Sequence, residues 1–478
     1  MGYLDELAQR CMIQVVKRSL TNGRILKFRI HDLLRDLCIS VAKRNRFFTT
    51  YSIYNYNNDA VEDDVVTSRR LVVCKAHGDG RVQYAGGMMR HSNFKARSLL
   101  LLDRFSRKEY EANFTEYYSN LLGIGNSSTP LLSRHLFSSF SLLRVIHLNV
   151  GSVTIGEERV TLTIPEEIGG LIHLRYFKVI CYSCSLPPSI GNLSNLQTLD
   201  VRGVTLCTLP ESLWKIQTLA RIHCHGIMPS SGIGGLKMLR ILKSARAGRW
   251  MRQLKELSNL RKLAITNISE KEQADMLFDS LHELDHLTSL LLEFDQLLQA
   301  ATLFSSLPSH RNFRKLTLSS KLTLSSCDGW GTLIELRGLP QNLTNLSLQR
   351  ILLLKRDVTA LEGLQGLVIL QILGCRILPR DEEIYFSGGF PRLRHLRLAD
   401  VEGLRYLRIE SGAMKDLAQL TIDHCMDLRM MPEGLEQLAS LKKLEVSGMP
   451  PGFVRRIREG GEDFHKIQHI PSIHINTL

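Results

Sequence analysis

The chain has 478 residues, 44% hydrophobic and 23% charged, so it can bury a large core; its length suits two or three ordinary domains or one long repeat array. A formal net charge of +14 favours acidic partners such as nucleic acid, an anionic membrane surface or an acidic protein face, without choosing among them. No stretch approaches the roughly 18 uninterrupted apolar residues of a membrane span, the ten cysteines form no dense framework, and MGYLDELAQR lacks the basic start and apolar centre of a signal peptide, so the chain reads as reduced and cytoplasmic, with no transmembrane span.

In chain order, residues 1–48 read as a small module: a helical LDELAQRCMIQVV pattern, a turn at Thr21-Asn22-Gly23, a strand ILKFRI and an amphipathic helix HDLLRDLCISVAKR. Residues 49–66, TTYSIYNYNNDAVEDD and its flank, have neither a helical nor a strand period and read as a linker. Residues 67–142 contain two strand-like pieces, Arg70 to Cys74 and Arg97 to Leu102, and read as irregular N-terminal repeats or a cap.

From 143 to 478 the pattern Leu-x-x-Leu-x-Leu recurs, starting at Leu143, Leu174, Leu196, Leu219, Leu260, Leu287, Phe313, Leu343, Leu367, Leu393, Leu417 and Leu441, with a degenerate copy at Leu239. Starts lie 22 residues apart from Leu174 to Leu196 and 24 from Leu417 to Leu441. That is the period of a leucine-rich repeat, in which three apolar positions per copy serve a short strand and its turn, and stacked copies bury a core that no single copy closes. The predicted fold class is therefore α/β: a leucine-rich-repeat solenoid with a parallel sheet on its concave face. Cys375 and Cys425 fall three residues after Ile372 and Ile422, where such repeats turn a side chain inward to bond the turn backbone. Phrases such as IPEEIGG, LPPSIGN and LPESLWK predict a Pro-capped outer turn before the next strand.

Between the apolar positions stand the residues that the concave sheet displays: Arg144 and His147; Arg175, Tyr176 and Lys178; Arg221; Arg240 and Lys243; Arg261; Arg314 and Lys315; Arg394 and Arg397; Lys442 and Lys443. Individually these are solvated strand residues. Their recurrence at one repeat position predicts a basic face for an acidic protein partner. Nucleic acid is not expected, because stacking platforms need aromatics interleaved with the charge and Tyr176 is the main one available.

The start of the chain carries a more particular pattern. LDELAQRCMIQVVKRS, FRIHDLLRDLCISVAKRNRF, SRRLVV, ARSLLLL, FSLLRVIHL and the terminal GEDFHKIQHIPSIHI together resemble the C-terminal portion of plant coiled-coil-type nucleotide-binding leucine-rich-repeat immune receptors, over essentially the whole chain. The winged-helix signature of that family, Met-His-Asp then Leu-x-Arg-Asp-Leu, stands here as Ile30-His31-Asp32-Leu33-Leu34-Arg35-Asp36-Leu37. The resemblance implies that residues 1–48 are the end of a winged-helix subdomain. It also implies that in a complete receptor His31 contacts the β-phosphate of ADP while Asp32 helps fix that geometry. From the residues alone, Asp32 equally reads as a helix cap against which His31 packs. The partners implied are a pathogen effector or guarded host protein, and a nucleotide-binding domain in cis or in trans.

This chain contains no Gly-Lys dipeptide, so the phosphate-binding loop of an NTPase is absent from it. It is expected to hold no cofactor itself, ADP or ATP requiring the missing nucleotide-binding domain, and to be no enzyme; neither Gly-x-Ser-x-Gly nor His-Glu-x-x-His occurs. Cys181-x-x-Cys184 lacks the second Cys pair of a zinc knuckle, so no metal site is expected. A generic cytoplasmic repeat scaffold and a ubiquitin-ligase substrate adaptor are the alternative functional readings.

Overall fold

A computed structural model describes residues 2–18, 23–47, 49–52, 68–74, 95–102, 137–138, 140–151, 154–155, 158–159, 161–203, 209–295, 307, 312–320, 336, 338–378 and 383–476. Most of the 67–142 segment, including the sequons at Asn113 and Asn126, and also Cys207, lies outside the described residues. The chain divides into two compact units, Met1–Ala245 and Arg246–Leu478.

The first unit opens with helix Tyr3–Gln9 and an antiparallel hairpin of strands Ile13–Arg18 and Ile25–Ile30, then helix Asp32–Arg44. The strand ILKFRI and the second helix fall where the sequence puts them, but the helical reading of LDELAQRCMIQVV holds only to Gln9: its end, from Ile13, is a strand, made so by pairing with Ile25–Ile30. The Asp32 capping expectation shifts by one residue: Asp32 opens the helix, and the His31 carbonyl accepts the Arg35 N–H at 2.8 Å. Asp32 thus sits in the first turn, where its charge suits the positive end of the helix dipole.

A parallel sheet follows, through strands Thr49–Ser52, Arg70–Cys74, Ser98–Leu102, Val145–Gly151, Tyr176–Cys181, Thr198–Arg202, Arg221–Ile227 and Ile241–Arg246. The sheet therefore begins inside the stretch that the sequence assigns to a linker. TTYS has no apolar alternation of its own; pairing with Arg70–Cys74 makes it a strand.

The second unit stacks strands Lys262–Ile268, Ser289–Phe294, Lys315–Ser320, Asn345–Gln349, Ile369–Leu373, His395–Ala399, Gln419–Asp423, Lys443–Ser447 and Ser472–Asn476 in parallel. The last is the SIHIN of the terminal phrase. Asn345, within a sequon, lies inside a strand.

Burial follows the leucine period. Every repeat start, Leu143 through Leu441, is buried to 1% exposure or less, and so are strand positions such as Ile146, Leu199, Leu290 and Leu420. The return path runs through short 3-10 turns, with Pro165, Pro187 and Pro210 each at the N-cap. Successive turns touch there: a Cβ on Gly191 would lie 2.5 Å from Ser212 Cβ, so only glycine fits. In the second unit one return path is the amphipathic helix Lys271–Leu281, whose Ser280 hydroxyl donates to Met251 O at 3.0 Å.

Strand exits are equally regular. Arg350, Gly374, Asp400, His424 and Gly448 all have φ between 49° and 61°, each the residue after its strand. Each donates its N–H to the last carbonyl of the next strand, as His424 does to Ser447 O at 3.0 Å. The left-handed turn lets the chain leave the sheet without losing a rung.

Cys375 and Cys425 are fully buried. The Cys375 thiol donates to the Leu348 and Leu373 carbonyls and that of Cys425 to Asp423 O, as expected for residues that bond the turn backbone. At the end of the chain, the Asp463 carboxylate accepts from Arg456 Nε at 2.8 Å, Lys466 Nζ at 2.9 Å and Met431 N at 3.2 Å, tying helix Pro451–Ile457 to the final repeats.

Candidate protein-recognition face

The basic residues predicted for the sheet face fall at two different backbone positions. Tyr176, Lys178, Arg221, Lys315, Arg397 and Lys443 lie within strands, alternating with buried apolar residues. Arg144, Arg175, Arg261, Arg314, Arg394 and Lys442 instead sit one residue before a strand, all exposed. At the five arginines of this position the carbonyl accepts two N–H groups from the next repeat: Arg144 O takes those of Arg175 and Tyr176 at 2.8 and 3.0 Å, and Arg394 O those of Ala418 and Gln419 at 2.9 Å each. The backbone there is locked, and the long side chain is left to solvent.

The expectation of a uniformly basic face needs correction, because acidic residues stand on the same face. In the first unit His147, Lys178, Asp200, His223 and Lys243 occupy one register row. Asp200 is 7% exposed and takes two hydrogen bonds from Arg202, and its Oδ1 lies 3.5 Å from His223 Nδ1. Burial holds the pKa of His147 below the ordinary value, assisted by Lys178 and Arg202; burial does the same for His223, partly offset by Asp200.

In the second unit the corresponding row is Ala264, Leu291, Thr317, Ser347, Gln371, Arg397, Thr421, Glu445 and His474. Its charges are compensated. Lys443 pairs with Glu445 and holds that carboxyl below its usual pKa, with Thr421 and Gln419 also donating to it. Arg397 lies 3.7 Å from Asp423, which also takes hydrogen bonds from Ser447 and His424 at 2.7 Å each. Burial works to raise the Asp423 carboxyl, but these donors and the charges of His424 and Arg397 leave it below the ordinary range.

His31 and Asp32 lie apart from this face, in the N-terminal module. Both are exposed, and the Asp32 carboxylate is 3.3 Å from the Arg35 guanidinium. Cys181 and Cys184 are buried within the stack, Cys181 donating to Ser183 O. Among the described residues no helix is long and apolar enough to cross a membrane.

A stack of parallel strands with exposed polar rows, buried leucines and short return turns defines a repeat protein that offers a face to a macromolecular partner. Residues 126–461 match the family model described as "Leucine-rich repeat region", and the chain belongs to that family. Over 99% of its length it is 28% identical to the Arabidopsis thaliana protein named "Probable disease resistance RPP8-like protein 2", covering 48% of that protein. It is 25% identical to "Disease resistance protein RPP8" of the same plant over 98% of the chain and 48% of that protein. The chain thus spans about half the length of these relatives. Among solved structures, a leucine-rich-repeat protein of Leptospira interrogans is 16% identical, with a TM-score of 0.46, covering 89% of this chain and 99% of that one.

Proposed function

We propose that this chain is the recognition region of an intracellular plant immune receptor of the nucleotide-binding type. Its sheet face contacts either a pathogen-derived or guarded host protein or an acidic surface of the nucleotide-binding part, and the exchange between them restrains or releases the receptor. A ligand shifts such a switch only by its differential affinity for the two states.

The observation that carries this reading is the apolar exposure of the N-terminal module. Leu26, Leu33 and Leu37 are 61%, 78% and 58% exposed, and helix Tyr3–Gln9 buries none of its residues. Apolar exposure of this extent in a small module marks a surface made for a partner. That almost the whole chain matches only about half of each relative supports a partner drawn from the portion of a receptor that this chain does not match.

By itself the chain carries out no catalysis and holds neither ADP nor ATP tightly, and it works in the cytoplasm. Calorimetry with ADP checks the second point; binding at micromolar affinity or tighter would overturn it. The function is tested by co-expressing the chain with the unmatched N-terminal half of RPP8-like protein 2 and purifying through a tag on either partner. A one-to-one complex is expected. Recovery of ubiquitin-ligase core subunits in its place would favour the adaptor reading.

A further inference from the structure

The first unit carries an uninterrupted run of cations that the second lacks. Register pairs Arg70 with Ser98, Ser98 with Val145, and Val145 with Tyr176. The residues just before them, Arg69, Arg97, Arg144 and Arg175, therefore stand on four consecutive rungs. Backbone hydrogen bonds run directly along this row: Arg97 N to Arg69 O, Arg144 N to Arg97 O and Arg175 N to Arg144 O, each at 2.8 Å. All four side chains are exposed, and among the described residues none of them forms an ion pair. In the second unit the same position reads Arg261, Thr288, Arg314 and Thr344, so each cation is followed by a neutral rung.

The stretches 69–74, 97–102, 144–151 and 175–181 contain no Asp or Glu, while Arg70 and Lys178 add to the four arginines. Arg70 is held over the Phe47 ring at 4.2 Å. The run ends at the next strand, where Gln197 takes the equivalent position and Asp200 stands on the face. Like charges stacked about 4.8 Å apart destabilise a sheet. An anion that meets all four at once recovers that cost, and a scattered set of surface cations offers no such row.

We propose that Arg69, Arg97, Arg144 and Arg175 form a docking track for an acidic α-helix of a partner protein, lying along the row and across the strands. The proposal rests on the reading of the sheet as a protein-recognition face. Carboxylates at i, i+4, i+7 and i+11 of a helix advance about 4.5 to 6 Å per step. Over three steps the helix and the rungs differ by about 2 Å, within the reach of an arginine side chain. Same-face residues of an extended peptide advance about 6.7 Å per step and lose register sooner. Single-stranded nucleic acid calls for stacked aromatics, and of Phe, Tyr and Trp these four stretches leave only Tyr176 out of the core, half-buried. Arginine also matches carboxylate with a planar pair of donors.

The test uses two fluorescent alanine-based helical peptides of about 18 residues, one with glutamates at i, i+4, i+7 and i+11, the other with the same glutamates spread around the helix. Anisotropy titrations of the whole chain are expected to show the one-faced peptide binding about tenfold or more tightly than the scrambled one, and losing affinity as salt is raised. Arg97→Glu with Arg144→Glu should remove that preference, and Arg97→Gln with Arg144→Gln should weaken it. Arg249→Glu with Lys255→Glu, both exposed in the outer turn Arg249–Glu256, should leave it within about twofold. Circular dichroism melts confirm that each variant is folded. Equal binding of the two peptides, or an unchanged preference in the Arg97/Arg144 variants, would overturn the track. So would tighter binding of a single-stranded oligonucleotide that displaces the peptide. Association of the chain with the receptor half is measured separately, so that reading survives or fails on its own evidence.

Discussion

Arg202 holds Asp200 through two hydrogen bonds, Nε to Oδ1 at 2.8 Å and Nη2 to Oδ2 at 2.9 Å, two residues apart on one face of strand Thr198–Arg202. This pair closes the basic run of the first unit and sets the field at His223. Replacing Asp200 with asparagine removes the one influence that raises the His223 pKa, so its NMR titration midpoint should move further down. Because Asp200 is almost buried, Asp200→Ala should also cost on the order of 1–2 kcal/mol in urea melts. An unmoved His223 midpoint would show that the carboxylate and the imidazole do not interact.

Leucine burial and surface charge should separate cleanly in stability measurements. Leu346 is 1% exposed and Leu396 likewise, and truncation of either to alanine should cost about 2–5 kcal/mol through lost transfer energy and a residual cavity. Arg394→Ala, at an exposed position beside Leu393, should change stability by less than about 0.5 kcal/mol. Chemical denaturation of the three variants checks the contrast.

Gly448 has φ of +61°, and a Cβ there would lie 2.4 Å from His424 Cε1. Gly448→Ala should therefore destabilise by roughly 1–3 kcal/mol, from the left-handed backbone and the ring clash together. Adding His424→Ala removes the clash alone. The double variant should recover part of the loss, which a double-mutant cycle would measure as a favourable coupling.

Asp463 makes the C-terminal cap sensitive to acid. Burial pushes its carboxyl up, but hydrogen bonds from Arg456, Lys466 and the Met431 N–H, with the Lys466 charge, leave it below the ordinary carboxylate range. A group depressed in the folded state stabilises above its unfolded pKa of about 3.9 and ceases to do so as pH falls through the folded value. Asp463→Asn should cost about 3 kcal/mol near neutral pH and flatten the fall in stability below about pH 4. Melts of both proteins from neutral to acidic pH would reveal parallel curves if the cluster contributed nothing.

Cysteine chemistry gives an independent reading of the stack. Burial raises the Cys375 and Cys425 thiols to about 11, while Cys11 and Cys38 are exposed. Alkylation at pH 8 followed by mass spectrometry should label Cys11 and Cys38 and spare Cys375 and Cys425 until denaturant is added.

The repeats were legible because leucine at a fixed interval has one physical use, and every start from Leu143 to Leu441 is indeed buried. In the N-terminal module the period changes around Gly23 and His31 were legible, but strand Ile13–Arg18 was hidden inside a helical pattern, because its pairing with Ile25–Ile30 makes it a strand. Strand Thr49–Ser52 was not, since its pairing with Arg70–Cys74 rather than its own pattern makes it a strand. The face was only half legible. Reading cations between leucines found Arg144 and Arg397, but merged residues before the strand with residues inside it and passed over Asp200, Asp423 and Glu445 on the same face. Counting all charged residues by their offset from each repeat start would have separated them. The left-handed exits were hidden as well, because glycine marks Gly374 and Gly448 while Arg350, Asp400 and His424 adopt the same φ.

Recognition by the sheet side is tested most directly by hydrogen–deuterium exchange on the complex with the receptor half. The expected result is added protection in peptides spanning 97–102, 144–151 and 175–181, with the outer turns at 188–192 and 211–215 unchanged. Protection confined to those outer turns, with none on the strands, would contradict it.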